Sequence, residues 1–381
     1  MLALQGVKVL DMATFFPAPL LAAMLGDFGA DVVKLEDTEG DPLRVTGAMR
    51  GDRSYVWALA DRNKRSVKLD LSSSSGRETL RHLTSVTDVV VVNQPQRVLD
   101  RLGCTFEQIS RRNPRAVMVA VSAFGTEGPY AELPGNGTLA EAYAGLTHLT
   151  GHPDGPPVLP SAPLGDCLGA LSGLIGTLVA LYWRDARGGT GQYVDASMFE
   201  QVLLLVGSAL VAWSPGSPPP ARTGSKVPGG VPRNVYRTSD GRWLAVSGPT
   251  DAQVARILEV IGRHEQTDIE RWGTSAKRLD DADALDAAVA KWIFERDADT
   301  VIRMLRDARI PVVGVNDLAA IVADSHIRAR GSIETVEDPE SGPVLVPAPA
   351  PRLSATPGRI WRPPPRLGAD TEQVLEEWLG S

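Results

Sequence analysis

Cysteine and histidine are scarce in this chain of 381 residues, with only two and five respectively. Cys104 and Cys167 cannot build a disulfide framework, and their spacing is not that of a zinc site. His148 and His152 have helical spacing, but the THLTGHPDGPP around them breaks any helix, which speaks against a metal centre. Positive charge is not in excess either: 39 Lys and Arg stand against 46 Asp and Glu, a formal net charge of −7. That balance argues against a protein built to coat nucleic acid or an anionic membrane, though not against a basic pocket for one phosphorylated ligand. There is no Walker loop, no G-x-S-x-G elbow and no H-E-x-x-H, so the common kinase and hydrolase classes have no support.

The N-terminus, MLALQGVKVLDMA, has neither the long apolar core nor the cleavage site of a signal peptide. One uncharged stretch, 167–183, is about long enough to span a bilayer, but Asp166 and Arg184 bracket it tightly. Its Gly, Ser and Thr suit close packing, so a buried central helix is expected, in a soluble, cytoplasmic protein. Hydrophobic residues at 43% and charged residues at 22% fit a folded chain. A chain of this length buries about three quarters of its unfolded surface and needs no staples.

The first part of the chain alternates two kinds of segment. Strands are expected at Val7–Leu10, Asp31–Leu35, Ser66–Leu69, Asp88–Val92 and Ala116–Ser122. Helices are expected at Pro17–Phe28, Gly76–Thr84 and Thr105–Arg111, then at 166–183 and about 197–213. Apolar strands separated by helices imply parallel βαβ units, so residues 1–213 are expected to form a large Rossmann-like α/β domain. Residues 214–233, rich in Pro, Gly and Ser, read as a linker or loop. A smaller α+β domain is expected over 234–330, opening with a hairpin turned at Asp240-Gly241 and continuing in helices at 251–262, 281–294 and 299–308. Residues 331–381 are expected to be a C-terminal segment that returns to the large domain and ends in a helix at 371–379.

Three features bear on chemistry. GNGTLA at 135–140 has the loose dinucleotide pattern, but a loop precedes it where a strand is required. Asp166 follows Gly165 at the start of the long apolar helix; local physics favours a helix cap, with a nucleophilic carboxylate as the sharper alternative. Lys34, Arg62, Lys64, Arg65, Arg97 and Arg101 fall near strand ends, where cations suit phosphates or simply form a solvated surface.

Longer segments carry a resemblance. GVKVLDMATFFPAPLLAAMLGDFGADVVKLEDTEGDPLR, DRNKRSVKLDL, VVVVNQPQRVLDRLG, VSAFGTEGPYAELPG, GDCLGALSGLIGTLVAL, RGGTGQYVDASMFE, GVNDLAAIVADSHIRARG and LGADTEQVL follow one another as in the class III CoA-transferases. That family includes formyl-CoA transferase, carnitine CoA-transferase and the α-methylacyl-CoA racemases, and the chain resembles it over nearly its whole length. The resemblance implies an interlocked homodimer with Asp166 as the catalytic carboxylate. It also implies CoA binding by Asn93, Arg101, the backbone around Ala18, and Lys64 or Arg65. Gly229-Gly230 falls where some members have a mobile loop over the active site. Phe15 and Phe16 are expected near the pocket and hint at an apolar acyl group.

Three departures stand out. The usual N-F-R-P-G run reads Asn93-Gln94-Pro95-Gln96-Arg97, which leaves Arg97 as the nearby phosphate partner. Asn136 and Gly137 stand where members have an aromatic or His followed by an acid, and Asn136 cannot relay protons as a racemase histidine does. Asp37 replaces an arginine of some members. The implied activity is CoA transfer from an acyl-CoA to a small carboxylic acid through aspartyl anhydride and aspartyl-CoA intermediates. Acyl-CoA racemisation, or acyl-CoA binding with little catalysis, are the alternatives. No metal or tightly bound cofactor is required; CoA is substrate, and Asp166 is expected to keep a near-normal pKa of ~3.9.

Overall fold

Parallel strands buried on both faces need apolar side chains at every position, and VVVV at 89–92 is the plainest case. The computed structural model describes residues 1–51, 53–338 and 342–380. Among the described residues the large sheet has six parallel strands, β1 (Lys8–Asp11), β2 (Asp31–Glu36), β3 (Lys64–Lys68), β4 (Val89–Val92), β5 (Val117–Ser122) and β6 (Tyr193–Ser197). Their order is β3-β2-β1-β4-β5-β6, and every neighbouring pair is parallel. This is the doubly wound order, with the reversal between β1 and β4, where loops leaving the strands' carboxyl ends diverge and open a crevice.

Side-chain alternation fills both faces. Val9, Val89, Val91 and Val119 pack on α1 (Pro17–Asp27), while Leu10, Val33, Val90 and Val92 pack on the other face with α2 (Ser74–Ser85). The helices α3 (Gln96–Leu102), α4 (Phe106–Arg112), α5 (Gly137–Tyr143), α6 (Leu164–Ala186), α7 (Met198–Leu205) and α8 (Gly207–Ala212) follow in chain order.

The expectation of a buried α6 is corrected. One face packs on α1, β5 and β6, but the opposite face is bare, with Ile175 63% and Val179 61% exposed. Leu171, Tyr182 and Trp183 share that bareness, as do Leu204 and Val211 on α7 and α8. By length and composition alone α6 is also apolar enough to cross a membrane. Apolar residues all round a helix do not say what covers them.

A second compact unit comprises residues 148–158 and 218–324, and the first comprises 1–147, 159–217 and 325–381. The division differs from the expected boundaries at 214–233 and 330. The 148–158 loop belongs to the small unit because the Arg222 guanidinium donates to the carbonyls of His148, His152 and Gly155. The small unit has an antiparallel sheet of β7 (Arg233–Arg237), β8 (Trp243–Ser247) and β9 (Val312–Gly314), with β8 in the middle. The β7–β8 hairpin turns at Asp240-Gly241, where Gly241 has φ +81°. Helices α9 (Asp251–Val260), α10 (Ala282–Phe294) and α11 (Ala298–Asp307) close its core around Tyr236, Leu244, Leu285 and Ile293.

The C-terminal segment forms a hairpin of β10 (Ile333–Asp338) and β11 (Gly342–Pro347), then α12 (Thr371–Leu379). It covers the β3 edge of the large sheet. Asn63 Oδ1 accepts the Trp361 and Arg362 N–H groups at 2.8 and 3.0 Å, and the Ser66 N–H donates to Asp370 at 2.8 Å.

Candidate active site

The crevice at the β1/β4 reversal is a cavity of about 650 Å³. Its walls are the loop after β1 with Phe15 and Phe16, the segment after β4 from Asn93 to Arg97 in the first turn of α3, and the segments after β5, with Asp166 among the lining groups. Asn93 staples the first two loops together: its Oδ1 accepts the Thr14 N–H at 3.0 Å and its Nδ2 donates to the Thr14 carbonyl at 2.8 Å. Phe15 sits in the left-handed region at φ +64°, with its N–H on Asp41 Oδ1 at 3.1 Å. Pro17 then starts α1, where its missing N–H costs nothing.

Asp166 lies in the first turn of α6, three residues after Pro163 at the N-cap position, and makes no capping bond. The cap interpretation is therefore set aside. Its Oδ1 instead accepts the Gly137 N–H at 3.1 Å, and no other hydrogen bond reaches the carboxylate among the described residues. Asn136 caps α5, its side chain accepting the Leu139 N–H. This start of α5 turns the Gly137 amide toward Asp166.

Glycine is needed there: a Cβ on residue 137 would stand 2.6 Å from the Asp166 carboxyl carbon. Burial pushes the Asp166 carboxyl above its ordinary 3.8, the Gly137 N–H opposes the rise, and the charge of Glu141 adds to it. The expected near-normal pKa is corrected accordingly.

GNGTLA is thus no dinucleotide loop. Its glycine makes room for a carboxylate at the carboxyl ends of a doubly wound sheet. Residues 4–371 match the family described as CoA-transferase family III. The chain belongs to that family.

A succinyl-CoA–L-malate CoA-transferase alpha subunit of Chloroflexus aurantiacus is 34% identical over 99% of this chain and 89% of its own length. An acetyl-CoA:oxalate CoA-transferase of Acetobacter aceti is 31% identical over 90% of this chain and 87% of its own. The solved structure of a CAIB/BAIF family protein from Brucella suis superposes with a TM-score of 0.84 at 27% identity, covering 99% of both chains. The protein is a class III CoA-transferase.

For a CoA-transferase the cations matter, and here four expectations are corrected. Lys34, Arg62, Lys64 and Arg65 form neither a phosphate site nor a solvated surface; all four are buried among carboxylates. Lys64 Nζ uses its three donors on Asp11 and Asp61, each at 2.7 Å, and on the Pro19 carbonyl at 2.8 Å. Lys34 lies 2.7 Å from Asp41 and donates to the Ala13 carbonyl. Arg62 makes a two-bond pair with Asp27, and Arg65 is held by Asp31 and Glu377. These groups shape the β1 loop and the β3 edge, so Lys64 and Arg65 are withdrawn as CoA ligands.

Arg97 and Arg101 are different. Arg97 lines the cavity, is 76% exposed, and among the described residues has Glu132 as its one ion-pair partner, at 3.9 Å. Arg101, on α3, is exposed and outside the cavity lining. Ala18 is buried in the first turn of α1, whose amides have no intrahelical acceptor. Asp37 accepts the Glu39 and Gly40 N–H groups and puts no cation at its turn. Gly229 and Gly230 belong to the small unit, where a Cβ on Gly230 would stand 2.7 Å from the Pro249 Cβ.

The sequence reading missed Asp11, Asp41, Asp61 and Glu141. Glu141 had a usable signal: it falls four residues after Gly137, on the same helix face, inside an otherwise apolar run.

Proposed function

We propose that Asp166 carries CoA from an acyl-CoA to a free carboxylic acid by covalent catalysis. The carrying observation is the half-buried Asp166 carboxylate, free of its own helix, lining the cavity at the sheet's carboxyl ends. A carboxylate oxygen attacks the thioester carbonyl, the C–S bond breaks, and an aspartyl–acyl anhydride and CoA thiolate result. The thiolate then attacks the aspartyl carbonyl and expels the donor acid as a carboxylate, leaving an aspartyl-CoA thioester. The acceptor carboxylate attacks that thioester and frees the thiolate again. The thiolate takes the acceptor's acyl carbon and restores the Asp166 carboxylate.

No net proton moves, so the transfer itself calls for no general base. The Gly137 N–H, 3.1 Å from Oδ1, is placed to follow that oxygen as it becomes the oxyanion of each attacked aspartyl intermediate. Asn93, Arg97, Arg101 and the Ala18 backbone are the CoA contacts of this reading. Arg97 takes the phosphate role because its charge is exposed and loosely paired.

Racemisation has no support at position 136. The Asn136 amide caps α5 and has no ionisable group to act as a proton-relaying acid or base at neutral pH. A weakly catalytic binding protein is disfavoured because Gly137 presents its amide to Asp166.

The homodimer and the cytoplasmic location belong to this proposal. The bare apolar face of α6 supports a partner chain. Mass spectrometry of the intact protein with succinyl-CoA or acetyl-CoA tests the chemistry. A CoA-sized adduct on wild type, absent from D166N, is expected. Acyl-CoA binding with no adduct, together with α-deuterium uptake in D₂O, would instead indicate a racemase.

A further inference from the structure

A second carboxylate lies behind Asp166, and the transfer steps above make no use of it. Glu141, one helical turn after Gly137 on α5, is 1% exposed. Its Oε1 accepts the Gly165 N–H at 2.8 Å. Gly165 is the second residue of α6, so its amide has no acceptor within the helix. The two helices also touch backbone to backbone: a Cβ on Gly165 would lie 2.7 Å from the Gly137 carbonyl oxygen. The junction is therefore tied in both directions, Gly137 N–H to Asp166 and Gly165 N–H to Glu141.

A buried carboxylate is costly unless hydrogen-bonded, and beside a second carboxylate it also repels. Retaining one at this junction calls for a role that depends on its reach and its acceptor oxygen. We propose that Glu141 is the positioning residue of Asp166: by holding the Gly165 amide it fixes the first turn of α6, so that Asp166 stays on the Gly137 N–H within the cavity. This inference rests on Asp166 being the transferring carboxylate.

Two variants separate reach from charge. E141Q keeps the length and the acceptor oxygen but removes the charge, whereas E141D keeps the charge and withdraws the oxygen by one methylene. E141Q should hold kcat within about threefold of wild type. E141D should lose on the order of 10- to 100-fold in kcat with KM for acyl-CoA nearly unchanged, the signature of a displaced nucleophile. An E141Q loss as large as that of E141D, or wild-type turnover in E141D, overturns the proposal.

Amide hydrogen exchange at Gly165 reads the same tie without catalysis. Protection should persist in E141Q and fall at least about tenfold in E141D; equal protection in both overturns the proposal. A wild type that binds acyl-CoA but transfers nothing would refute the functional reading alone, leaving the exchange measurement to decide the role of Glu141.

Discussion

Gly137 and Asp166 are in such close contact that a methyl group on the glycine would sit 2.6 Å from the aspartate's carboxyl carbon. The amide that holds the carboxylate and the space that admits it come from the same residue. G137A should therefore lower kcat on the order of 100-fold, as displacements of about 1 Å do, and should also lower thermal stability, because the same methyl would stand 2.6 Å from the Asp166 backbone nitrogen. Steady-state kinetics beside a melting curve checks this. Wild-type turnover in G137A would show that the carboxylate is not held there during transfer.

Because Asp166 makes no cap on its own helix and its bond to the Gly137 amide is a single one, removing it takes away chemistry at little cost to structure. D166A should lose about 10⁴-fold or more in turnover, yet its melting temperature should stay within a few degrees of wild type. A large drop in stability would restore a structural role for this carboxylate.

How much of this was legible in the chain follows from the range of each interaction. Strands such as Val89–Val92 and the last helix, Thr371–Leu379, are written in local patterns and are found where expected. The strand Tyr193–Ser197 was not anticipated, since YVDAS is short and carries a charge at its centre. The long-range pairs were invisible. Nothing near Lys64 in sequence announces Asp11, and nothing near Arg65 announces Glu377. Cations at strand ends therefore looked available when they were already committed. The resemblance directed attention to Asp166, but its tie to Gly137 and the role of Glu141 depend on two helices meeting.

Asp61 offers a test by pH. It is wholly buried, and burial pushes its carboxyl up to about 6, with Asp41 and Asp11 adding to the rise and Lys64 and Lys34 opposing it. The folded value exceeds the unfolded one, so the folded chain binds this proton more tightly. The resulting stabilisation is complete below about pH 4 and is lost as pH rises through about 6. D61N has no such titration. Between pH 4 and 7.5 the stability difference should move toward D61N by roughly 1–3 kcal/mol, measured by denaturant unfolding at each pH. A constant difference would mean that Asp61 does not protonate in the folded chain.

Arg97 and Lys64 should separate ligand binding from folding. R97A is expected to raise KM for acyl-CoA several-fold with kcat and stability nearly intact, because its ion pair with Glu132 is exposed and loose. K64A should instead cost about 3–5 kcal/mol, because it strands Asp11 and Asp61 without their shared cation. A destabilised R97A, or a stable K64A with altered KM, would reverse the assignment of these two residues.

The bare face of α6 predicts association. Wild type is expected to sediment as a dimer, and I175K/V179K to shift it toward monomer or into insoluble material, without touching the Asp166 side of the helix. An unchanged dimer would place the contact elsewhere.

The covering of β3 by the chain's end has a consequence for synthesis. The backbone amides of Trp361 and Arg362 and the carboxylates of Asp370 and Glu377 complete an edge whose strand begins at Lys64. A nascent chain emerging from the ribosome has made that strand long before the residues that seal it exist. Closure joins points about 300 residues apart, so it falls late in folding, with the sheet edge open to mispairing until then. Emergence of residues 361–377, more than any earlier stage of elongation, is the event that lets the large sheet acquire its final boundary.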